Sequence, residues 1–138
     1  KLINQFSEDI YFELKGFSTL ADWVKTSAKN EGYKCGDLNY IFCSDNYLNT
    51  INKKYLNHED FTDIITFNYN HDDKISGDIF ISVERVKENA LTEGVEFETE
   101  LKRVMIHGVL HLCGYNDKTD QEKNTMRAKE DYYLNLHP

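Results

Sequence analysis

Residues 100–117 read ELKRVMIHGVLHLCGYND, and this stretch decides the fold. Plotted on a helical wheel, residues 100–113 carry apolar side chains around most of the circumference. A helix that is apolar nearly all round is buried, so the stretch predicts a central buried helix. Four polar side chains lie together within about 80° of this wheel and need buried partners. We call them the polar strip: Glu100, Arg103, His107 and His111.

The two histidines of the polar strip are four residues apart, so their imidazoles project one above the other and can hold one ion. Gly114 follows where the helix should stop, since glycine permits the left-handed turn that ends a helix. The chain can then fold back and present Asp117 to the same ion. Three protein ligands leave a fourth position open, as in catalytic zinc sites. The sequence therefore predicts one divalent ion per chain, Zn²⁺ before other metals, held by His107, His111 and Asp117.

Other candidate ligands have less support. Cys113 lies about 200° around the wheel from His111, and we interpret it as a buried thiol. Asp120 is expected at the start of the last helix, where a carboxylate favours the N-terminus. Histidines elsewhere fall in predicted loops or at the terminus and are expected to be solvated: His58, His71 and His137.

The spacing of the three ligands is similar to the HExxHxxGxxH pattern of zinc peptidases. In those enzymes a glutamate directly follows the first histidine and acts as the general base. Gly108 occupies that position here. A peptidase mechanism is disfavoured because its base is missing from the expected place.

Hydrophobic periodicity along the whole chain predicts the order β-α-β-α-β-β-α-α-α. Strands are expected at residues 3–12 (an edge strand), 38–44, 63–69 and 75–82, with a turn at 70–74 joining the last two as a hairpin. Helices are expected at residues 18–30 with Ser18 as cap, after Ser44 or Asp45, and at residues 83–92, 96–113 and 119–135. This order predicts an α+β single domain over residues 1–138. Its four-stranded mixed sheet packs with about five helices, and the metal site lies on the central buried helix.

Composition limits the classes of function. The 138 residues are 40% hydrophobic and 29% charged, as in a globular domain, and no Pro/Gly/Ser-rich linker divides them. No apolar run approaches the ~20 residues that span a bilayer, so no membrane partner is expected. Three cysteines at no disulfide-like spacing favour a reducing, cytoplasmic setting. The net charge of −8 disfavours a nucleic-acid partner unless cations cluster locally.

The segment HGVLHLCGYND, residues 107–117, resembles the HGxLHLxGYDH motif of the YbeY family of rRNA maturation factors. The likeness continues in order along most of the chain. It includes TDIITF at 62–67, SGDI at 76–79, Glu100 and Arg103 before the histidines, and Met126 with Glu130 in the last helix. An eleven-residue motif with ordered flanking matches is a specific resemblance.

The resemblance implies a metal-dependent, single-strand-specific endoribonuclease. It would act in rRNA maturation, chiefly at the 3′ end of 16S rRNA, and in ribosome quality control. The implied partners are single-stranded ribosomal RNA and the small ribosomal subunit, with no DNA. Arg103, His107 and His111 are the candidate catalytic residues. Arg103 has a structural alternative, in which it pairs with a buried carboxylate such as Glu100 or Asp78.

The sequence departs from the family pattern at two positions. Asp117 stands where the family usually has a histidine ligand, and aspartate is a competent zinc ligand. Leu56 stands where the family usually has an arginine. If that arginine contacts phosphate in relatives, either another cation replaces it here or the activity is weaker. The candidates for a local basic cluster are Lys53, Lys54, Arg85, Lys87 and Arg103.

Two further functions remain open at this point. The chain could be a non-catalytic, metal-binding ribosome-assembly factor, which the acidic total charge and Leu56 favour. It could also be a metallohydrolase of another small substrate. Cleavage of single-stranded RNA that is sensitive to a chelator separates the nuclease from both.

Overall fold

The computed structural model describes residues 2–56 and 62–136. The order of elements is the predicted one, β-α-β-α-β-β-α-α-α, with five helices among the described residues. The strands are β1 (Ile3–Ser7), β2 (Lys34–Cys43), β3 (Ile64–Asn68) and β4 (Lys74–Ser82). The helices are α1 (Phe17–Asn30), α2 (Asp45–Leu56), α3 (Val83–Glu93), α4 (Phe97–Leu112) and α5 (Asp120–Leu136). The α+β class predicted from the sequence is confirmed.

The four strands form one mixed sheet in the order β1-β2-β4-β3. The first three of these run parallel, and β3 pairs antiparallel with β4 as the predicted hairpin. Strand β1 is an edge strand, as expected, and β3 forms the other edge. The predicted mixed sheet is therefore confirmed, and its β3 edge lies beside α4.

Helix α4 is the centre of the core. It packs against β3, β4 and the helices α1, α3 and α5, while α2 packs against β3 and β4. Alternate residues of β3 serve separate apolar clusters: Ile64 belongs with the α4 side and Ile65 with a smaller cluster that includes Leu48 and Ile51 of α2. The two-residue period of a strand thus places α4 and α2 on opposite faces of the sheet.

Close approach of α4 to the sheet depends on Gly108. A Cβ atom there would lie 3.0 Å from Ile64 Cδ1 and 3.1 Å from Ile79 Cγ2. The position after the first histidine is therefore turned into the core, where a charged side chain would have no partner. A hydrogen bond from the hydroxyl of the buried Tyr40 to the carbonyl of Met105, at 3.1 Å, joins β2 to α4 as well.

Two local predictions near the N-terminus are wrong. The strand expected at residues 3–12 ends at Ser7, because the chain turns through Asp9, which has a positive φ of 41°. Helix α1 begins at Phe17, so Ser18 lies inside it, and the cap position is Gly16 in a left-handed conformation. Ser44 does cap α2, since its Oγ accepts a hydrogen bond from Tyr47 N at 3.0 Å.

Among the described residues, none of the helices combines the length and the apolar character that crossing a membrane requires.

We expect Gly77→Ala to lower the free energy of unfolding by about 2 kcal/mol or more. A Cβ atom at this position of β4 would overlap the backbone carbonyl oxygen of Phe67 and press on Leu112 Cδ2 at 3.3 Å. Because the first obstacle is backbone in the paired strand, the hairpin itself must shift. Urea denaturation followed by circular dichroism measures the loss. Ser76→Ala, one residue earlier and partly exposed, is the control and should change stability by less than about 0.5 kcal/mol.

Candidate metal centre

Helix α4 ends in the left-handed turn that the sequence predicts at Gly114. Gly114 has φ 100°, in the left-handed region that favours glycine. Its N–H donates to the carbonyl of His111 at 3.0 Å, and Tyr115 N donates to the carbonyl of Leu110 at 3.1 Å. These two bonds make a Schellman motif, which satisfies the last carbonyls of the helix and reverses the chain.

The reversed chain is held at its other end by a capping box at the start of α5. Thr119 Oγ1 accepts from Glu122 N at 3.1 Å, and Glu122 Oε1 accepts from Thr119 N at 2.9 Å. The loop between α4 and α5 is therefore anchored on both sides. Asp117 lies in the middle of it, and Asp120 is the exposed first residue of α5, as expected.

Three side chains converge where this loop passes over the polar strip. Nε2 of His107 and Nε2 of His111 are 3.0 Å apart. Asp117 Oδ2 lies 3.2 Å from the first of these nitrogens and 3.4 Å from the second. One ligand atom from each residue falls within 4.8 Å of the others, a grouping that could hold one metal ion. The three predicted ligands are thus the three that the fold brings together.

The outer nitrogens of both imidazoles have partners that fix the tautomer of the neutral rings and leave the inner nitrogens available to a cation. Nδ1 of His107 faces the Glu130 carboxylate at 2.7 Å, and Nδ1 of His111 faces the carbonyl of Tyr115 at 2.9 Å. A carboxylate and a carbonyl only accept, so each Nδ1 carries the hydrogen. Two Nε2 lone pairs and a carboxylate oxygen then point at one volume, which a divalent cation suits.

Charge around the histidines reinforces this preference for a cation. Burial lowers the pKa of His107, but the Glu130 carboxylate, followed by Asp117 and Asp63, outweighs burial and raises that pKa above its ordinary value. Burial also raises the pKa of Asp63, which shares the site, while the positive field of His107 opposes that rise. Negative groups therefore surround the point where the three ligand atoms meet.

In the other half of the polar strip, Arg103 is held by two carboxylates. Arg103 donates to Glu130 Oε1 at 2.9 Å and to Asp131 Oδ1 at 2.7 Å. The alternative that paired Arg103 with Glu100 or Asp78 is therefore wrong in its partners, because α5 supplies two nearer carboxylates. Glu100 instead lies near the Glu93 carboxylate of α3, which helps to raise its pKa, and its Oε1 is buried without a hydrogen-bond partner among the described residues.

An open cleft of about 840 Å³ leads to the three ligands. It runs beside strand β3 between the end of α2 and the loop that carries Asp117. Its described lining includes Asn52, Leu56, Thr62, Asp63, Ile64, Ile65, Thr66, Asn68, Leu112 and Lys118 besides the ligands. Leu56, the position where the family usually has arginine, does face this cleft.

The predicted basic cluster is not found along the cleft. Among the described lining residues, Lys118 is the single lysine, and none is an arginine. Lys118 was not among the cations selected from the sequence. Arg85 is paired with Asp45 at 2.7 Å, and Arg103 is paired with α5. Lys53 and Lys54 are exposed on α2, and Lys87 lies 5.8 Å from the Phe97 ring. Pairing with nearby acids, which sequence alone does not show, explains why the two arginines are unavailable.

Two of the residues rejected as ligands lie where they were expected. Cys113 is buried in the main core, and burial raises its pKa to about 12, so it is an inert thiol. The side chain of His71 is 85% exposed. His58 and His137 lie outside the described residues.

Sequence reasoning missed three groups that complete the site. Glu130 was noted only as a match in the last helix, yet it orients His107 from 23 positions further along the chain. The Tyr115 carbonyl and the Asp63 carboxylate were not assigned roles either. Glu130 lies four residues after the apolar Met126, so both side chains fall on one face of α5, and both are buried. A glutamate on the apolar face of a mostly polar helix was the sequence signal available for Glu130.

We expect Glu100→Gln to raise stability at alkaline pH. Burial, with the nearby Glu93 carboxylate, raises the pKa of Glu100 from 4.5 to about 8. The stability linked to its proton is complete below about pH 4.5 and is lost as the pH rises towards 8. A neutral glutamine keeps that stability, so the variant should exceed wild type by more than about 1 kcal/mol at pH 9 and match it near pH 5.

Denaturant unfolding at pH 5, 7 and 9 measures this difference. Glu98→Gln, an exposed position on the same helix, is the matched control and should show the same pH profile as wild type. Parallel profiles for wild type and Glu100→Gln would contradict a raised pKa at Glu100.

Comparisons with known proteins show the family to which the chain belongs. The solution structure of TM1509 from Thermotoga maritima superposes with a TM-score of 0.64 at 30% identity, covering 96% of this chain and 86% of that one. The protein named Endoribonuclease YbeY in Flavobacterium psychrophilum is 53% identical over 131 residues, 95% of this chain and 94% of its own. That of Cytophaga hutchinsonii is 51% identical, covering 95% and 92%. Residues 3–137 match the profile of the family described as Endoribonuclease YbeY, and the chain belongs to that family.

Proposed function

We propose that this protein is a zinc-dependent endoribonuclease that cleaves single-stranded ribosomal RNA. One observation carries the proposal: His107, His111 and Asp117 converge at the inner end of an open cleft. Three protein ligands with an open approach are the arrangement of catalytic rather than structural zinc sites. The relatives named Endoribonuclease YbeY indicate which substrate class enters the cleft.

The side chains of the site have separable tasks in such a reaction. A divalent ion held by the three ligands would act as a Lewis acid towards a phosphoryl oxygen and would make water a stronger acid. Glu130 and the Tyr115 carbonyl hold both imidazoles in the Nδ1–H form, so that each Nε2 stays available as a ligand. Arg103 neutralises Glu130 from behind and keeps that carboxylate against His107.

This geometry supports a positioning role for Arg103 in place of direct contact with RNA. Its side chain is 15% exposed and both of its terminal nitrogens are already bound by carboxylates of α5. His107 and His111 remain the proposed catalytic residues through the ion that they hold. Lys118, on the loop that carries Asp117, is the cleft cation nearest in sequence to the ligands and is proposed to contact phosphate.

The recessed position of the ligands supports a single-stranded substrate. Side-chain exposure is 19% for His107 and 28% for His111, so a phosphate must enter the cleft to reach the ion. A single strand can bend into such a cleft and spread its bases at small cost, whereas a duplex holds its bases stacked. Polar amide side chains in the lining, Asn52 and Asn68, offer hydrogen bonds to the entering strand.

The cellular setting follows from the same proposal. We place the protein in the cytoplasm, acting on the 3′ end of 16S rRNA in the small subunit and in ribosome quality control. Three buried, unpaired cysteines among the described residues suit a reducing compartment. A non-catalytic assembly factor is the second candidate, because the described lining of the cleft contains few cations and Leu56 faces it.

We expect the purified protein to bind one divalent ion per chain through the three proposed ligands. His111→Ala should abolish high-affinity zinc binding, and Asp117→Ala should weaken it more than about tenfold. Asp117→His should retain a working site because imidazole can replace carboxylate as a zinc ligand. Elemental analysis and calorimetric titration with Zn²⁺ give the stoichiometry and the affinity.

Asp120→Ala is the matched control for these titrations, since Asp120 is an exposed carboxylate three residues beyond the ligand. It should bind zinc as wild type does. Unchanged affinity in Asp117→Ala together with loss in Asp120→Ala would overturn the ligand assignment.

Incubation with a single-stranded RNA that spans the 3′ end of 16S rRNA tests the activity. We expect cleavage that stops on addition of a chelator, returns with Zn²⁺, and is absent in His111→Ala and from the same RNA held in a duplex. Tight binding of RNA or of the small subunit without cleavage would favour the assembly factor. Neither binding nor cleavage would favour a hydrolase of another substrate.

A further inference from the structure

A buried carboxylate on the far side of the metal loop gathers donors from two elements. Glu31 follows the last residue of α1, and 8% of its side chain is exposed. Its Oε1 accepts a hydrogen bond from the Tyr115 hydroxyl at 2.6 Å. Its Oε2 accepts from the Tyr133 hydroxyl and from Lys129 Nζ, the latter at 3.1 Å. Both oxygens of the carboxylate are therefore engaged.

The ionised state of Glu31 is favoured by these donors. Burial works against the charge, but the hydrogen bonds from Tyr115, Tyr133 and Lys129 outweigh it and hold the pKa of Glu31 below its ordinary value. Hydrogen bonds to an ionised acceptor are roughly twice as strong as neutral ones. The bond to the Tyr115 hydroxyl is thus one of the strong contacts of this surface.

Tyr115 connects that carboxylate to the metal site. Its backbone carbonyl accepts from Nδ1 of His111 at 2.9 Å, and its N–H is bound by the carbonyl of Leu110 at 3.1 Å. The Lys129 ammonium lies 5.5 Å from the centre of its ring, within the range of a cation–π contact. The ring is held by Glu31 and Lys129 and the backbone N–H by Leu110, so the Cα atom from which the Tyr115 carbonyl extends towards His111 is fixed from two sides.

We propose that Glu31 is a positioning residue for the metal centre, acting through the Tyr115 hydroxyl to hold the carbonyl that orients His111. The same anchor sets the path of the loop towards Asp117, two residues further on. This inference rests on the proposed metal site but assigns a role to a residue of α1 that lies outside the metal motif. Partners that orient metal-binding histidines typically change metal affinity by 10- to 100-fold when removed.

The alternative is that Glu31 only clamps α1 to α5. A matched pair of variants separates the two, because Tyr115→Phe and Tyr133→Phe each remove one hydroxyl from the same carboxylate. The backbone carbonyl of Tyr133 accepts a hydrogen bond from Trp23 Nε1 at 2.9 Å, and its hydroxyl contacts Asn30 and Glu31, so these contacts lead to α1 and its end. A clamp requires both hydroxyls, whereas positioning of the metal site requires that of Tyr115.

The affinity for Zn²⁺, measured by competition titration, is the first measurement. We expect about a tenfold loss in Tyr115→Phe and less than about a twofold change in Tyr133→Phe. Glu31→Gln keeps an acceptor without the charge and should fall between wild type and Tyr115→Phe. Equal changes in the two tyrosine variants, or no change in Tyr115→Phe, would overturn the proposal.

The second measurement does not depend on bound metal. Nitrogen-15 NMR of the metal-free protein reports which ring nitrogen of His111 carries the hydrogen. Wild type and Tyr133→Phe should show the Nδ1–H form, and Tyr115→Phe should show a mixture. If wild type binds no zinc but the His111 spectrum of Tyr115→Phe still differs from those of wild type and Tyr133→Phe, only the proposed function is refuted. Zinc binding with identical His111 spectra in all three proteins would refute the role of Glu31 alone.

Discussion

Burial of α4 against the sheet is the constraint on which the rest of the structure depends. Gly108 lets the helix approach Ile64 and Ile79 closely, and the apolar side chains around it fill the core. A helix in this position cannot leave polar groups without partners, because an unpaired buried polar group costs about 1–3 kcal/mol. The polar strip therefore dictates which side chains the neighbouring elements must supply.

The neighbours of α4 supply groups that contact the side chains of the polar strip. Helix α3 brings the Glu93 carboxylate close to Glu100, and together with burial it raises the pKa of Glu100 to about 8. Helix α5 brings Glu130, which lies between Arg103 and His107 and contacts both. The loop after α4 supplies a carbonyl to the second histidine and, two residues later, the carboxylate of the third ligand. In the proposed metal centre, the inner Nε2 atoms of His107 and His111 face each other and Asp117, and they are available to bind an ion.

The charge distribution explains how an acidic chain can belong to a family of RNA-processing relatives. Arg85 and Arg103 are paired with acids of neighbouring helices. These arginines therefore join elements of the fold and do not form a basic surface. In the proposed function, attraction for phosphate would come chiefly from the ion that the three candidate ligands would hold and from Lys118 on the loop that carries Asp117.

Local sequence signals were enough to predict the buried helix, the order of strands and helices along the chain, and the convergence of the three candidate ligands. Those features depend on local periodicity, on the four-residue spacing of His107 and His111, and on the left-handed turn at Gly114, and such signals are complete within about a dozen residues. The hydrogen-bond partners of the candidate ligands, and the acids that pair with the arginines, became known from the tertiary structure alone. Glu31, Glu130 and the acids that pair with Arg103 reach the site from other helices, and nothing in the local pattern encodes which remote side chain fills a buried hydrogen-bonding position. Contacts of this kind are chosen by packing, since packing brings distant helices within hydrogen-bonding distance of the metal site.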